Sequence, residues 1–324
     1  MIDKLHIIKP VASEFNRFEA DFAKMLHSDT PLLQSAIDQV LRSNGKHIRP
    51  LLLLLTAKAC GEPTPITQDA AVIIEILHTT TLIHDDVVDE TKQRRGIPSL
   101  NAIFDNRIAV LTGDYLLSGS ILNAVKTGNL SIIKTIASVC RELSEGELMQ
   151  IDLTENRTID EEAYLRMIGK KTAALISACS EIGAISVNAP AETVDKCRLF
   201  GEYLGYCFQI KDDIFDYYDD VNIGKPTGND IREGKITLPL LYALKSAPEA
   251  ERSKHLTIID NQDYTTQNIH QLIDFAKRYQ GIEYAENRLL AFKQKAVEII
   301  HSFPESDARS GLLLLADYFS RRTN

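Results

Sequence analysis

The sequence predicts an all-α fold, a bundle of helices with almost no strand. No proline occurs between Pro98 and Pro190, and apolar residues there recur at helical spacing: Ile108, Leu111 and Tyr115, then Ile132, Ile136, Val139 and Leu143. That is the signature of long amphipathic helices. Turn chemistry punctuates the rest, at Gly61-Glu-Pro63-Thr-Pro65, Gly96-Ile-Pro98, Thr127-Gly-Asn129, Asn188-Ala-Pro190 and Gly224-Lys-Pro226-Thr-Gly228, each read as a loop between helices. No linker, low-complexity tract or clean internal repeat separates two halves, so residues 1–324 are expected to form a single domain.

Composition sets the outer limits. With 44% hydrophobic and 25% charged residues in 324, the chain can bury a large core and reads as a soluble globular protein. A net charge of -9 with both signs interspersed leaves no basic stripe for a phosphate backbone, which argues against nucleic acid as a partner. The five cysteines, at 60, 140, 179, 197 and 207, include no Cys-x-x-Cys pair; neither a disulfide framework nor a zinc site is indicated, and a cytoplasmic location fits. The N-terminus shows no secretory pattern. The most apolar run, Leu51 to Leu55 extended to Ala59, falls far short of the roughly 20 residues that cross a bilayer, so no membrane span is expected.

Two segments should run through the core. Residues Ala70 to Leu82 are apolar or small on every face, as a helix surrounded by other helices must be, and Leu199 to Asp216 behaves similarly. Each leads into an acidic cluster, Asp85-Asp86-x-x-Asp89 and Asp212-Asp213-x-x-Asp216. On a helix the first and last acids of each cluster share a face, where like charges repel, and a helix C-terminus disfavours carboxylates further. A buried set of such acids must be protonated or compensated by cations. Oxygen-only donors without His or Cys point to a hard metal, and few ligands per cluster suit Mg²⁺, which keeps waters and shares substrate phosphates. One such pentad alone is as readily a solvated helix face; two, each ending an apolar helix, are not.

Basic residues supply the complementary half. Gly45-Lys46-His-Ile-Arg49-Pro50 places two cations just before an apolar helix, and Arg94-Arg95 follows the first cluster. Arg suits bidentate phosphate contacts and Lys a point charge, although singly each is an ordinary surface cation. His78 lies two turns before Asp85 on the same face; a lone His there is more often a core residue.

Taken in order, these motifs resemble the trans-isoprenyl diphosphate synthases, or polyprenyl synthetases. The resemblance rests on Gly45-Lys-His-Ile-Arg-Pro50, His78-Thr-Thr-Thr-Leu-Ile-His-Asp-Asp-Val-Val-Asp89, Arg94-Arg-Gly96, Gly113-Asp114, Lys171-Thr172, Phe208-Gln-Ile-Lys-Asp-Asp-Ile-Phe-Asp216, Gly224-Lys-Pro226 and Gly234-Lys-Ile-Thr-Leu-Pro239. It implies antiparallel helices around a deep central cavity, with the two Asp clusters facing each other across its mouth. By position, Asp85, Asp86, Asp89 and Asp212 would hold Mg²⁺, three ions with substrate bound, on the diphosphate of an allylic substrate such as farnesyl diphosphate. Asp213 and Asp216 would support that shell. Arg94, Lys171, Lys225 and Lys235 match contacts to the same diphosphate; Lys46, Arg49, His78 and Arg95 match the pocket for isopentenyl diphosphate. Thr172 and Gln209 are the dipoles expected to face the allylic cation.

The resemblance also bears on product length. Thr80 and Thr81 lie one turn before Asp85, where short-chain farnesyl synthases place an aromatic floor. An open floor looks like the medium-to-long-chain group, octaprenyl first, with the tail passing Gly113, Ser118, Gly119 or Asn123; geranylgeranyl and farnesyl lengths are the shorter alternatives. A terpene cyclase or head-to-head synthase shares the acid clusters but has no use for an isopentenyl diphosphate pocket, and a non-catalytic subunit of a hetero-oligomeric synthase would degrade a cluster. A homodimer, transient membrane contact for product release and a role in quinone side chains are further expectations of the resemblance. The tail, Tyr318-Phe-Ser-Arg321-Arg322-Thr-Asn324, reads as a frayed, solvated terminus; the alternative, by resemblance to some relatives, is that it folds over the site and adds cations.

Overall fold

A computed structural model of the chain describes residues 4–42, 45–94, 96–218 and 227–321. Among these residues the polypeptide is almost wholly helical. Helices α1 (Lys4–Ile8), α2 (Ala12–Met25), α3 (Pro31–Arg42), α4 (Ile48–Cys60) and α5 (Pro65–Val88) come first. A two-stranded antiparallel hairpin, β1 (Gln93–Arg94) with β2 (Ile97–Pro98), precedes α6 (Leu100–Ile103), α7 (Asn106–Lys126), α8 (Leu130–Glu155) and α9 (Glu161–Ile168). One π-helical turn, Gly169–Ala173, leads into α10 (Ala174–Ser186), α11 (Ala191–Phe215), α12 (Asn229–Arg232) and α13 (Leu238–Ser246). The chain closes with α14 (Glu249–Asp260), α15 (Thr266–Arg278), α16 (Gly281–His301) and α17 (Asp307–Arg321). The all-α class expected from the sequence is what the protein adopts. Contacts gather into two compact units: Met1–Ser138 with Ala178–Arg198 and Phe303–Leu312, and Val139–Ser177 with Leu199–Ser302 and Leu313–Asn324.

In the first unit α5 is the axis. Its 24 residues make a rod of about 36 Å. The start is fixed by Pro65 in the first turn and by a reciprocal cap, in which the Thr64 hydroxyl accepts from the Thr67 N–H and the Thr67 hydroxyl accepts from the Thr64 N–H. α4 packs along α5 and buries Leu51 through Leu55 completely, each contributing about 1.5–3 kcal/mol. α7 lies against α5 as well, and Gly113 permits the approach: a methyl group there would come within 2.3 Å of the His84 ring. The opposite face of α7 is uncovered in the single chain, with Leu111, Tyr115, Leu122 and Val125 exposed. Among the described residues α7 is also the one helix whose length and composition alone would let it cross a membrane; apolar periodicity had marked it only as amphipathic.

In the second unit α13 packs on α15 and α16. Leu238, Leu240, Leu241 and Leu244 form a core there with Leu272, Phe275 and Ile214. All five cysteines are free thiols, and in the first unit Cys60 and Cys197 bring their sulfurs to 3.6 Å.

Candidate active site

The first acidic cluster sits where α5 ends. Asp85 is half-buried, Asp89 exposed and Asp86 buried. Asp89 caps the helix, its N–H donating to the Asp85 carbonyl at 2.8 Å, so these two carboxylates lie one turn apart at the negative end of the helix dipole. Asp86 has a different fate. Arg94, delivered by the β1–β2 hairpin, donates to its Oδ1 from Nε at 2.9 Å and from Nη2 at 2.7 Å, which offsets the cost of burying the carboxylate. Asn101 holds the Asp86 carbonyl at 3.0 Å.

Two turns earlier on α5, His78 Nε2 lies 2.9 Å from Arg49 Nη1. A guanidinium only donates, so Nε2 is the acceptor and the His78 proton resides on Nδ1. Glu75, one turn before His78, holds His47 Nδ1 at 2.9 Å. His47, Glu75, His78, Asp86 and Arg94 line one cavity of about 260 Å³ whose remaining wall is largely apolar. Lys46 is exposed beside this segment. Thr80 is buried, whereas Thr81 is half-buried with its hydroxyl donating to the His78 carbonyl at 2.8 Å. Of the small α7 residues, Gly113 is packed on His84, and a methyl group at Gly119 would meet nothing within 4 Å. Ser118 is exposed, and Asn123 donates to the Gly119 carbonyl at 2.8 Å.

The second cluster ends α11 in the other unit, and its three acids also divide their duties. Asp212 is half-buried. Asp213 is 3% exposed; Tyr164 Oη donates to its Oδ2 at 2.5 Å and Gln209 Nε2 to its Oδ1 at 2.8 Å. The Gln209 carbonyl in turn accepts from the Thr172 hydroxyl at 2.7 Å. Burial, and after it the charge of Asp230, pushes the Asp213 carboxyl up to about 8, against the lowering effect of the Tyr164 and Gln209 hydrogen bonds. Asp216 anchors α12: its two oxygens accept the backbone N–H groups of Asn229 at 2.8 Å and Asp230 at 3.0 Å.

Lys171 and Thr172 ride on the π-helical turn, a feature that often marks functional positions. Glycines on both neighbours make room for it. A methyl group at Gly146 of α8 would lie 2.4 Å from the Lys171 nitrogen, and one at Gly205 of α11 2.3 Å from Ala173 Cα. Lys171 pairs with Glu147 at 2.6 Å, and Lys235 with Glu233 at 2.6 Å. Tyr164, Lys171, Thr172, Gln209, Asp213 and Lys235 line a second cavity, of about 190 Å³. Arg95 and Lys225, together with Arg322 of the tail, lie outside the described residues.

Residue type and spacing had not singled out Tyr164, Glu147, Glu75 or His47. The signal for Glu147 is its place after Gly146 on a helix that must pass close to another backbone; for His47 it is the position between Lys46 and Arg49. Tyr164 stands 49 positions before Asp213 and leaves no local signal.

Can these residues hold a metal? Among the described residues no three His, Cys, Asp or Glu side chains converge closely enough to do so alone. An all-oxygen set of this kind fits a hard cation whose shell is completed by water and diphosphate oxygens, which is the habit of Mg²⁺.

The elevated Asp213 carboxyl has a consequence for stability. The folded protein keeps a proton that an unfolded chain releases above about pH 4, so this group's contribution is full below that pH and is lost as pH rises through about 8. With a chelator present, the thermal midpoint of the wild type is expected to fall more between pH 5 and 9 than that of Asp213→Asn; parallel curves would contradict the assignment.

Comparison with known proteins identifies the family. Residues 30–276 match the Polyprenyl synthetase family. The all-trans-nonaprenyl-diphosphate synthase (geranyl-diphosphate specific) of Rhodobacter capsulatus is 35% identical over 314 residues, 96% of each chain. Heptaprenyl diphosphate synthase component 2 of Bacillus subtilis is 34% identical over 305 residues, 94% of this chain and 86% of its own length. Among solved structures, geranylgeranyl pyrophosphate synthase from Bacteroides thetaiotaomicron is 42% identical with a TM-score of 0.85, covering 98% of this chain and 99% of its own. The chain belongs to the polyprenyl synthetase family and is a prenyltransferase of the trans-prenyl diphosphate synthase type.

Proposed function

We propose that the chain is a Mg²⁺-dependent synthase that joins isopentenyl diphosphate to an allylic diphosphate, farnesyl diphosphate first, and extends it to a medium or long all-trans product, octaprenyl first. The observation that carries the reading is the placement of an acid cluster at the end of each of two helices. Asp85 and Asp89 stand one turn apart at an accessible end of α5 beside Asp86, which holds Arg94, and at the end of α11 Asp213 holds Tyr164 with Gln209 and Asp216 holds α12.

Asp85, Asp89 and Asp212 would hold the metal, three ions with substrate bound, and Asp86, Asp213 and Asp216 would set their positions. Bound there, Mg²⁺ supplies positive charge for a departing diphosphate. Arg94, Lys171, Lys225 and Lys235 add cationic charge toward the same group, and Lys46, Arg49 and Arg95 toward isopentenyl diphosphate, whose pocket the neutral His78 completes by accepting from Arg49. Cleavage of the allylic C–O bond then leaves a carbocation. Thr172 gives its hydroxyl hydrogen to Gln209, which leaves the Thr172 lone pairs as a dipole suited to that cation. The isopentenyl double bond attacks the cation, and the proton lost goes to the released diphosphate.

Product length rests on Thr80 and Thr81, neither bulky, and on the open space beside Gly119. The product distribution from farnesyl diphosphate, isopentenyl diphosphate and Mg²⁺, read by mass, tests it: an octaprenyl maximum is expected, and a dominant farnesyl or geranylgeranyl product overturns the length assignment.

The family match runs across residues of both compact units, which supports reading the chain as one working domain. The uncovered face of α7 supports a homodimer, because a second copy would remove its apolar side chains from water. Arg107, Asp114 and Lys126 on α7, and its packing against α5, favour that role over a membrane span. The free thiols fit a cytoplasmic setting.

A further inference from the structure

We infer that Glu75 and His78 of α5 form a two-point clamp on the segment carrying Lys46 and Arg49, with the Glu75–His47 pair as a positioning device for binding isopentenyl diphosphate. The inference rests on the reading above, in which Lys46 and Arg49 hold that diphosphate.

His47 adopts φ 48 and ψ 40, in the left-handed region that residues with a β-carbon seldom occupy. The turn matters because of where it falls. Lys46 precedes it, α4 begins after it at Ile48, and the His47 carbonyl accepts the Leu51 N–H at 3.2 Å to open the helix. The relative placement of Lys46 and Arg49 is therefore set by one unusual backbone conformation.

Three contacts hold the His47 ring there. Its Nδ1 lies 2.9 Å from Glu75 Oε1, and its edge meets Phe18 at 5.4 Å and 72° and Phe22 at 5.7 Å and 67°. Glu75 is 6% exposed. Its own carbonyl accepts from Thr79 at 2.7 Å, and its Oε2 is buried without a hydrogen-bond partner in the wall of the cavity that His78 and Arg94 also line. The arrangement closes on itself. Glu75 and His78, one turn apart on α5, grip His47 and Arg49, two residues apart on the segment. A rigid helix thus dictates the spacing of cations that the segment alone would leave free. A buried carboxylate lacking a partner on one oxygen stays in place only where the rest of its environment over-determines it.

A clamp of this kind acts on one substrate. His47→Ala is expected to raise KM for isopentenyl diphosphate roughly tenfold, the loss of one hydrogen-bonded contact, while KM for the allylic substrate and kcat at saturation stay within about twofold. Because Asn tolerates the left-handed region and β-branched residues do not, KM should rise in the order wild type, His47→Asn, His47→Ala, His47→Val. Glu75→Gln, which keeps an acceptor for the ring, should fall near His47→Asn. Should the alanine variant fail to fold, the Asn and Gln variants decide. An unchanged KM for isopentenyl diphosphate across the series, or KM values for both substrates rising together, overturns the clamp. Lys46→Ala separates the two readings: if it raises this KM and the His47 series does not, the clamp alone fails; if neither does, the assigned pocket fails.

Discussion

Replacing Asp85 with alanine is expected to lower kcat/KM for chain elongation by roughly a thousandfold or more, with the thermal midpoint unchanged or slightly raised. The two halves of this prediction have separate origins. Diphosphate departure concentrates negative charge, and a metal held against it contributes several kcal/mol; about 4 kcal/mol corresponds to a factor near a thousand. Stability should not suffer, because Asp85 is half-buried, sits one turn from another carboxylate and lies at a helix end that repels both. Initial-rate kinetics and a thermal scan of the same preparation check it. Wild-type kinetics, or inactivation that merely follows unfolding, would contradict the role given to Asp85.

Replacing Thr81 with phenylalanine should shift the product spectrum to farnesyl and geranylgeranyl lengths. Thr81 is one turn before Asp85 and half-buried, its hydroxyl turned back to the His78 carbonyl. A ring there adds volume on the turn before the first acid cluster, at the cost of the hydroxyl's bond to the His78 carbonyl. Thr80 is a poorer site, since it is 1% exposed and overpacking a closed core costs about 1–3 kcal/mol. Mass analysis of dephosphorylated products reads the shift, and an unaltered distribution at wild-type rates would remove Thr81 from the path of the growing chain.

The helical class and the two acid clusters were legible in the sequence because they depend on local spacing. Three acids at the end of an all-apolar helix stand out whatever surrounds them. Spacing did not show their unequal duties; only the resemblance set Asp213 and Asp216 behind Asp212. Spacing says that Asp85 and Asp89 share a face, but nothing near Asp213 announces that Tyr164 and Gln209 occupy both its oxygens, or that the Asp216 carboxylate anchors α12. Those partners come from distant helices, and the pairing exists only after packing. The π-helical turn at Lys171 was hidden for the same reason: its signal is divided between Gly146 and Gly205, each beyond the reach of a local pattern. Arg94 illustrates a partner that spacing did not show. Its type and position read as a diphosphate contact, and the hairpin also brings it to Asp86. His47, passed over between two noted cations, carries the backbone conformation on which they depend.

The most direct test of the central claim is incorporation of labelled isopentenyl diphosphate into an extended allylic diphosphate from farnesyl diphosphate, with and without a chelator. The account predicts incorporation that requires Mg²⁺ and is lost in Asp85→Ala and Asp212→Ala. Failure to incorporate label with Mg²⁺ present, or incorporation indifferent to the chelator and to both substitutions, would contradict it.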